Sequence, residues 1–277
     1  MAQNNLRIIY DNVIDSATLT ASSAASGLPA TNLQRDQKGL VWRSTSTTAT
    51  LTATWSTAQT LSGVVLPFCN LSAAATIRVR VYTNTGDTTP VRDTGTVSAR
   101  AFAPGDIWGG AAPTSVNSYS FGGGSYARCW FTSAVGRKLE ITLTDSGNTS
   151  GYLEAGRLVA GAYWAPTYNT NFGVSIGYSD TSTQTRTEAG NLVSVIKPIH
   201  RTMSFDLQWL TDTDRVRMLS ILRGNGLRKP LFVSVFPEDT DAAKEQNYQL
   251  YGKMPSLSSI THPLYTIYST SLSLEEI

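Results

Sequence analysis

The sequence is poor in the residues on which most catalytic and metal-binding chemistry depends. It contains two histidines and two cysteines among 277 residues. His200 and His262 lie beside or near prolines, and neither has a second histidine or a cysteine at the spacing of metal ligands. Cys69 and Cys129 stand among apolar or aromatic neighbours, which predicts two buried free thiols; a disulfide between them would require adjacent strands. We therefore predict no metal site, no cofactor and no catalytic triad.

Charge is also scarce. Charged residues make up 15% of the chain, with a net charge of +2, whereas an average soluble protein has roughly 25%. Binding to nucleic acid needs a concentrated basic face, and the densest basic group, within residues 215–229, is better explained as a solvated helix face. We expect no nucleic-acid binding. A paired-carboxylate glycosidase site stays open, because sequence does not show which carboxylates face each other.

Long apolar runs are absent as well. No stretch approaches the roughly 20 apolar residues of a membrane span. The N-terminus shows no basic region followed by an apolar core, which is the pattern of a signal peptide. We expect synthesis in the cytoplasm and no membrane insertion.

Short alternating segments are abundant from residue 6 to about residue 160. The segment "RKLEITLTD" places Leu139, Ile141 and Leu143 on one face, and "TIRVRVYT" has the same two-residue period. Turn-forming segments such as "NTGDTTP" and "SFGGGS" separate them. This pattern predicts an all-β sandwich.

The second half adds one convincing helix between strands. The segment "TDTDRVRMLSILRGNG" opens with Thr211 and Asp214 in the arrangement of a capping box and places Val216, Leu219 and Leu222 along one stripe. The strand "KPLFVSVFP" follows it. The strand before it is predicted to place four large residues on one face: Met203, Phe205, Leu207 and Trp209. These features predict a β-sheet or small barrel with one packed helix.

A domain boundary is predicted near the middle of the chain. The segment "GYLEAGRLVAG" reads as a last core strand, and "AYWAPTYN" reads as a linker rich in aromatics and proline. We therefore predict two domains, residues 1–162 and residues 163–277. Tyr163, Trp164 and Pro166 are expected to pack at their junction.

The aromatics allow two interpretations. Trp108 lies between turn residues in "PGDIWGG", and Trp42 and Tyr126 lie near other turns. Exposed rings at the loop end of a β-sandwich can stack on the flat apolar face of a sugar, so these three residues are candidate carbohydrate-binding residues. The alternative is that Trp42 and Trp55 are core residues and Trp108 packs a loop, since tryptophan is highly buried on average.

Two segments of the first half resemble a known family. "WRSTSTTATLTATWSTAQTLSGVVL" resembles the early strands of a discoidin-type, galactose-binding-like jelly roll, and "RKLEITLTDSGNTSGYLEAGRLVAG" resembles its closing strands. From residue 6 to about residue 162 the chain is similar to domains of tailed-bacteriophage structural proteins. The second half is similar to the small β-barrel with one helix of phage tail-tube, distal-tail and baseplate-hub proteins.

The resemblance implies a non-enzymatic virion component of the tail tip or baseplate. Residues 163–277 would form an oligomeric ring, with a hexamer favoured over a trimer, and the jelly roll would link the tube to other baseplate or receptor-binding proteins. The expected partners are further copies of this chain, tail-tube and baseplate proteins, and host-surface glycans. The expected location is the virion tail, after synthesis in the host cytoplasm. The alternative function is that of a carbohydrate-binding protein for host recognition.

Overall fold

The structure, a computed structural model, describes residues 5–101 and 124–277. Its elements are almost all β-strands, which confirms the predicted mainly β class with a β-sandwich first unit. Within these residues no helix is long and apolar enough to cross a membrane.

The first half of the chain holds ten described strands and two short 3-10 turns. In chain order these are β1 (Arg7–Ile9), a turn (Val13–Ser16), β2 (Thr18–Ala21), a second turn (Ala30–Gln34), β3 (Trp42–Arg43), β4 (Thr48–Cys69), β5 (Thr76–Tyr82), β6 (Arg92–Asp93), β7 (Val97–Ser98), β8 (Ser125–Thr144), β9 (Glu154–Ala155) and β10 (Val159–Gly161). Strands β2 to β10 belong to one nine-stranded sheet, and we call this part of the chain the first unit.

The second half holds nine strands and two α-helices. These are β11 (Tyr163–Trp164), β12 (Ser175–Asp180), β13 (Thr183–Arg186), β14 (Leu192–Val195), β15 (Ile199–Leu210), α1 (Asp212–Asn225), β16 (Leu231–Ser234), α2 (Ala242–Asn247), β17 (Gln249–Lys253), β18 (Ile260–Leu264) and β19 (Ile267–Glu276). An eight-stranded sheet has the order β11-β1-β16-β17-β19-β15-β12, with β18 paired to β19. We call this sheet and its helices the second unit.

Two long antiparallel strands, β4 and β8, organise the first unit. Their register shifts at three places along the pair, and each shift bends the strands so that the sheet can fold over a core. Leu139, Ile141 and Leu143 of β8 point into this core as predicted, and each is no more than 1% exposed.

Strand β1 lies in the second unit. The predicted first domain, residues 1–162, includes this strand, so the structure differs from the prediction here. Ile8 and Ile9 pair with Trp164 and Tyr163 of β11 on one edge, and β1 pairs with β16 on the other edge. Sequence order gives no sign of this, because β-pairing joins segments that are far apart in the chain. The change of sheet between β10 and β11 falls at residue 162.

Strands β16 and β17, which follow β1 in the second sheet, are buried on both faces. Ile8 and Val233 pack in the core of the second unit, whereas Ile9, Phe232 and Tyr251 point to the opposite face and pack against the first unit. Successive strand residues point to opposite faces, so one sheet contributes to two apolar clusters. This double burial explains why "PLFVSVF" has a single polar residue, Ser234, which is itself buried.

The predicted start of helix α1 is confirmed. The Thr211 hydroxyl accepts a hydrogen bond from the backbone N–H of Asp214, and the Asp214 carboxylate accepts one from the backbone N–H of Thr211. A second helix, α2, was not predicted from the sequence. The Asp241 side chain caps it by accepting hydrogen bonds from the backbone N–H groups of Ala243 and Lys244.

The predicted apolar stripe of α1 is wrong for two of its three residues. Val216 and Leu219 are 59% and 46% exposed, and the buried stripe contains Met218, Ile221 and Leu222 instead. Apolar residues lie on more than one side of this helix, so periodicity alone did not identify the buried side. Asn225 lies on the buried side of the helix. Its side-chain N–H donates to the backbone carbonyl oxygen of Tyr10, the residue after β1, at 2.6 Å.

The predicted facing of strand β15 is wrong at one position. Met203, Phe205 and Leu207 are buried, but Trp209 is 49% exposed and Leu210 is buried in its place. The register with β19 shifts between Leu207 and Leu210, and such a bulge reverses the alternation of side chains.

Candidate functional site

The predicted carbohydrate-binding residues do not form a site in the described part of the chain. Trp42 is fully buried, and its indole N–H donates to the carbonyl oxygen of Ser23 at 3.1 Å. Tyr126 is 1% exposed. Because a sugar cannot reach either ring, the prediction is wrong for these two residues, and Trp42 is a core residue. Trp108 lies outside the described residues.

Of the three predicted junction residues, Tyr163 contacts the first unit. The rings of Tyr163 and Trp130 contact each other edge to face, with centroids 5.3 Å apart. The Arg7 guanidinium lies over both rings, 4.7 Å from Tyr163 and 5.1 Å from Trp130. Trp164 packs against the core of the second unit, and Pro166 is buried.

A buried carboxylate, Glu276, joins the two units. It comes from β19 of the second unit and is bound by Arg201 of β15 at 3.0 Å. From the first unit, the Lys38 ammonium lies at 3.1 Å and the Tyr126 hydroxyl donates a hydrogen bond at 2.8 Å. We call the contact surface between the units the seam.

The environment of Glu276 keeps it charged. Burial would raise its pKa, but the positive charges of Arg201 and Lys38 and the hydrogen bond from Tyr126 outweigh burial, so the pKa of Glu276 lies below its ordinary value. Burial and the neighbouring Glu276 charge raise the pKa of Tyr126 well above its ordinary value. Tyr126 therefore stays neutral and acts as a hydrogen-bond donor within the seam.

A second buried carboxylate, Glu245 of α2, reaches the first unit at another point of the seam. Its side chain is fully buried and pairs with the guanidinium groups of Arg128 and Arg100. The backbone N–H of Glu238 donates to the same carboxylate at 2.7 Å. A buried carboxylate with several charged and hydrogen-bonded partners has its desolvation cost offset by them.

A third cluster surrounds Arg157, which is 2% exposed. Its guanidinium lies 2.9 Å from the Asp15 carboxylate and 3.2 Å from that of Asp36, and it donates to the Tyr251 hydroxyl of the second unit at 3.0 Å. Burial raises the pKa of Asp15, although the Arg157 charge opposes this shift. Together the three clusters fix the orientation of one unit against the other.

Sequence reasoning missed these charged residues, yet a signal was present for one of them. In "SLSLEEI", Leu272, Leu274 and Glu276 share one face of a two-residue period, so Glu276 should point inward with the leucines. The structure confirms that these three side chains point to the same face, since all three residues are buried. No comparable sequence signal identified Arg128 or Glu245 as partners, because they are more than a hundred residues apart.

The described residues offer few side chains suited to metal binding or to thiol chemistry. Residues 5–101 and 124–277 contain no group of three or more histidine, cysteine, aspartate or glutamate side chains that could hold a metal ion. Cys69 and Cys129 are free and buried, as predicted. Burial raises the pKa of both thiols, that of Cys129 to about 11. Both thiols are therefore protonated near neutral pH.

The second half of the chain carries two exposed features that could contact another molecule. The first is the hairpin of β13 and β14 with its turn, which we call the arm. Every residue of these two strands is exposed, and within the described chain they pair only with each other. Opposite pairs place Val193 beside Thr185 and Val195 beside Thr183 on one face. That face is an exposed patch of β-branched side chains.

The second feature is a pocket of about 480 Å³ beside α2, which we call the edge pocket. It is lined by one loop, Asn169, Thr170, Asn171, Phe172, Gly173 and Val174, and by Phe236, Lys244 and Tyr248. Its lining combines aromatic rings with amide and hydroxyl groups. A smaller pocket of about 340 Å³ opens at the seam, next to Tyr10, Asp11 and Lys229.

No family model and no curated protein matches this chain. Among solved structures, it is similar to chitosan-binding module 1 of a chitosanase/glucanase from Paenibacillus sp. IK-5, with 20% identity over 55% of this chain and 99% of that one, at a TM-score of 0.36. It is similar to the family 32 CBM of NanJ from C. perfringens, solved with galactose, with 15% identity over 55% of this chain and 98% of that one, at a TM-score of 0.36. It is also similar to a fucose-binding module from Streptococcus pneumoniae, with 10% identity over 58% of this chain and 97% of that one, at a TM-score of 0.36. The named sugars are ligands of those modules.

Proposed function

We propose that this protein is a non-enzymatic structural protein that self-associates through its second unit and presents its first unit as a binding surface. The observation that carries the proposal is the arm. A two-stranded hairpin is marginally stable at best in water, and this one exposes Leu192, Val193 and Val195 by more than half of their surface. Another chain that covered its β-branched face would bury this apolar area and stabilise the hairpin.

The setting that we propose is the tail tip or baseplate of a tailed bacteriophage. The support is the sequence resemblance of both halves to phage structural proteins. In this setting the second unit would form a ring, sixfold in preference to threefold, in the virion tail. The first unit would connect the tube to other baseplate or receptor-binding proteins, and the seam would hold it in a constant orientation on the ring.

Replacing Val193 and Val195 of the arm with serine is expected to shift the purified protein from a closed oligomer to the monomer. The change removes the apolar area available to a neighbouring copy. The mass in solution, measured by analytical ultracentrifugation and followed by cryo-electron microscopy, checks this. The matched control is Gln184→Ser with Ser194→Ala on the opposite face of the arm, which should leave the oligomer intact. A wild-type chain that stays monomeric at high concentration, with tail partners added, would contradict self-association.

The second candidate function is recognition of a host-surface carbohydrate. The observation that favours it is Trp108, which stands between turn-forming residues in "PGDIWGG". Replacing Trp108 with alanine is expected to abolish saturable binding to a host polysaccharide while the mass of the assembly is unchanged, because stacking on an aromatic ring would be lost. Binding assays on immobilised polysaccharide check this. Equal binding by both proteins would remove Trp108 from the candidate site, and a shortened polysaccharide would contradict the non-enzymatic assignment.

A further inference from the structure

The loop that forms one wall of the edge pocket is held in place by hydrogen bonds to the sheet. The Asn169 side-chain oxygen accepts from the backbone N–H of Leu6 and from that of Thr170, both at 2.9 Å. The backbone N–H of Asn171 donates to the carbonyl oxygen of Asp206 in β15. Two of these bonds tie the loop to Leu6, the residue before β1, and to strand β15, so the pocket wall is preorganised.

Aromatic rings form the apolar part of the pocket. Phe236 and Tyr248 contact each other edge to face, with centroids 4.9 Å apart, and both pack against the core of the second unit. Phe172 lies on the anchored loop and is fully exposed, so both faces of its ring are open to solvent. The pocket therefore combines a fixed aromatic floor with a free ring at its mouth.

Two polar groups of the pocket are neutral and have no hydrogen-bond partner among the described residues. In the described chain, the Asn171 side-chain amide and the Tyr248 hydroxyl make no hydrogen bond. The single cation, Lys244, is paired with Asp239 at 2.8 Å and lies over the Phe236 ring. An amide and a phenol supply both donors and acceptors, and no net charge remains to select an ion.

We propose that the edge pocket binds a neutral sugar unit. Aromatic rings complement the flat apolar face of a pyranose, and amide and phenol groups complement its hydroxyl groups. A volume of about 480 Å³ lies within the usual range of small-molecule sites. This inference goes beyond the proposed function, because it assigns a ligand site to the second unit and uses neither Trp108 nor the arm.

The test is titration of the full-length protein with three neutral disaccharides, lactose, cellobiose and N,N′-diacetylchitobiose, by isothermal calorimetry and saturation-transfer NMR. We expect saturable binding of at least one of them. Phe172→Ala should weaken it at least about tenfold in Kd, which corresponds to about 1.4 kcal/mol, and Phe172→Tyr should keep it within about threefold. Phe172 is fully exposed, so its replacement leaves the core untouched. Tyr265→Ala, at another highly exposed aromatic, is the matched control and should bind like the wild type.

Two outcomes overturn the proposal. One is the absence of binding to all three sugars, and the other is binding that Phe172→Ala does not weaken. If binding instead depends on Trp108 alone, the sugar site belongs to the segment that contains Trp108 and not to the edge pocket. The oligomer mass of each variant is measured in parallel, so a failure of the edge-pocket site is distinguished from a failure of the proposed assembly.

Discussion

Replacing Glu276 with glutamine is expected to lower the free energy of unfolding by about 3–5 kcal/mol, because it leaves the buried charges of Arg201 and Lys38 without their carboxylate. Glutamine has nearly the same size, so the effect isolates the charge and its hydrogen bonds. Urea denaturation followed by tryptophan fluorescence measures it. The matched control is Glu275→Gln, at the exposed neighbouring position, which should change stability by no more than about 0.5 kcal/mol.

The pH dependence of stability gives an independent test of the same carboxylate. The folded-state pKa of Glu276 lies below its ordinary value of 4.5. The unfolded state therefore binds the proton more readily, and the stabilisation is present above pH 4.5 and is lost as the pH falls below it. The difference in the free energy of unfolding between the wild type and Glu276→Gln should become smaller as the pH falls below 4.5. A difference that stays constant down to the lowest pH at which the protein is folded would show that the carboxylate charge is not its source.

Replacing Phe232 with alanine is expected to destabilise the protein by about 3–5 kcal/mol. Phe232 is fully buried at the seam, where its ring centroid lies 6.1 Å from those of Tyr126 and Trp130. The substitution leaves a cavity between the units, since the strands on either side are held by the sheet and cannot close it. Thermal and urea denaturation measure the loss.

The matched control for Phe232 is Phe172→Ala, the same chemical change at a fully exposed position. It should leave the free energy of unfolding within about 0.5 kcal/mol of the wild type. If the two variants were equally stable, Phe232 would not be a packing residue and the seam would not be a close-packed interface. A second unfolding transition in Phe232→Ala alone would show that the units can separate once the seam is weakened.

These two predictions concern how the units act together. The seam contains an apolar cluster with residues from both units, two buried carboxylates paired with cations, and the buried cation Arg157, and strand β1 lies inside the second sheet. We therefore expect the first unit to keep a constant position relative to the sheet of the second unit.

The local sequence pattern predicted much of the secondary structure. The inward residues of β8, the capping box of α1 and the two buried thiols all follow from local sequence. The errors occurred where a non-local contact overrode the pattern. Trp209 is exposed because a bulge shifts β15, and Val216 is exposed because α1 packs its Met218 and Ile221 side into the core of the second unit.

For the candidate sites too, some expectations followed from the sequence and others depended on packing. Composition alone argued against metal, thiol and nucleic-acid chemistry, because few histidines and cysteines and scattered charges are properties of the chain itself. The accessibility of Trp42 and Tyr126 was a matter of packing, and both are buried.

By itself the sequence determined the mainly β class and the inward face of strand β8, because a two-residue period and turn composition act over a few neighbouring residues. Only the tertiary structure decided that β1 joins the second sheet, that Glu276 and Glu245 bind cations of the first unit, and that a loop and α2 enclose the edge pocket. Each of these features requires groups brought together from distant parts of the chain. Such contacts arise only when the whole chain folds and buries them together.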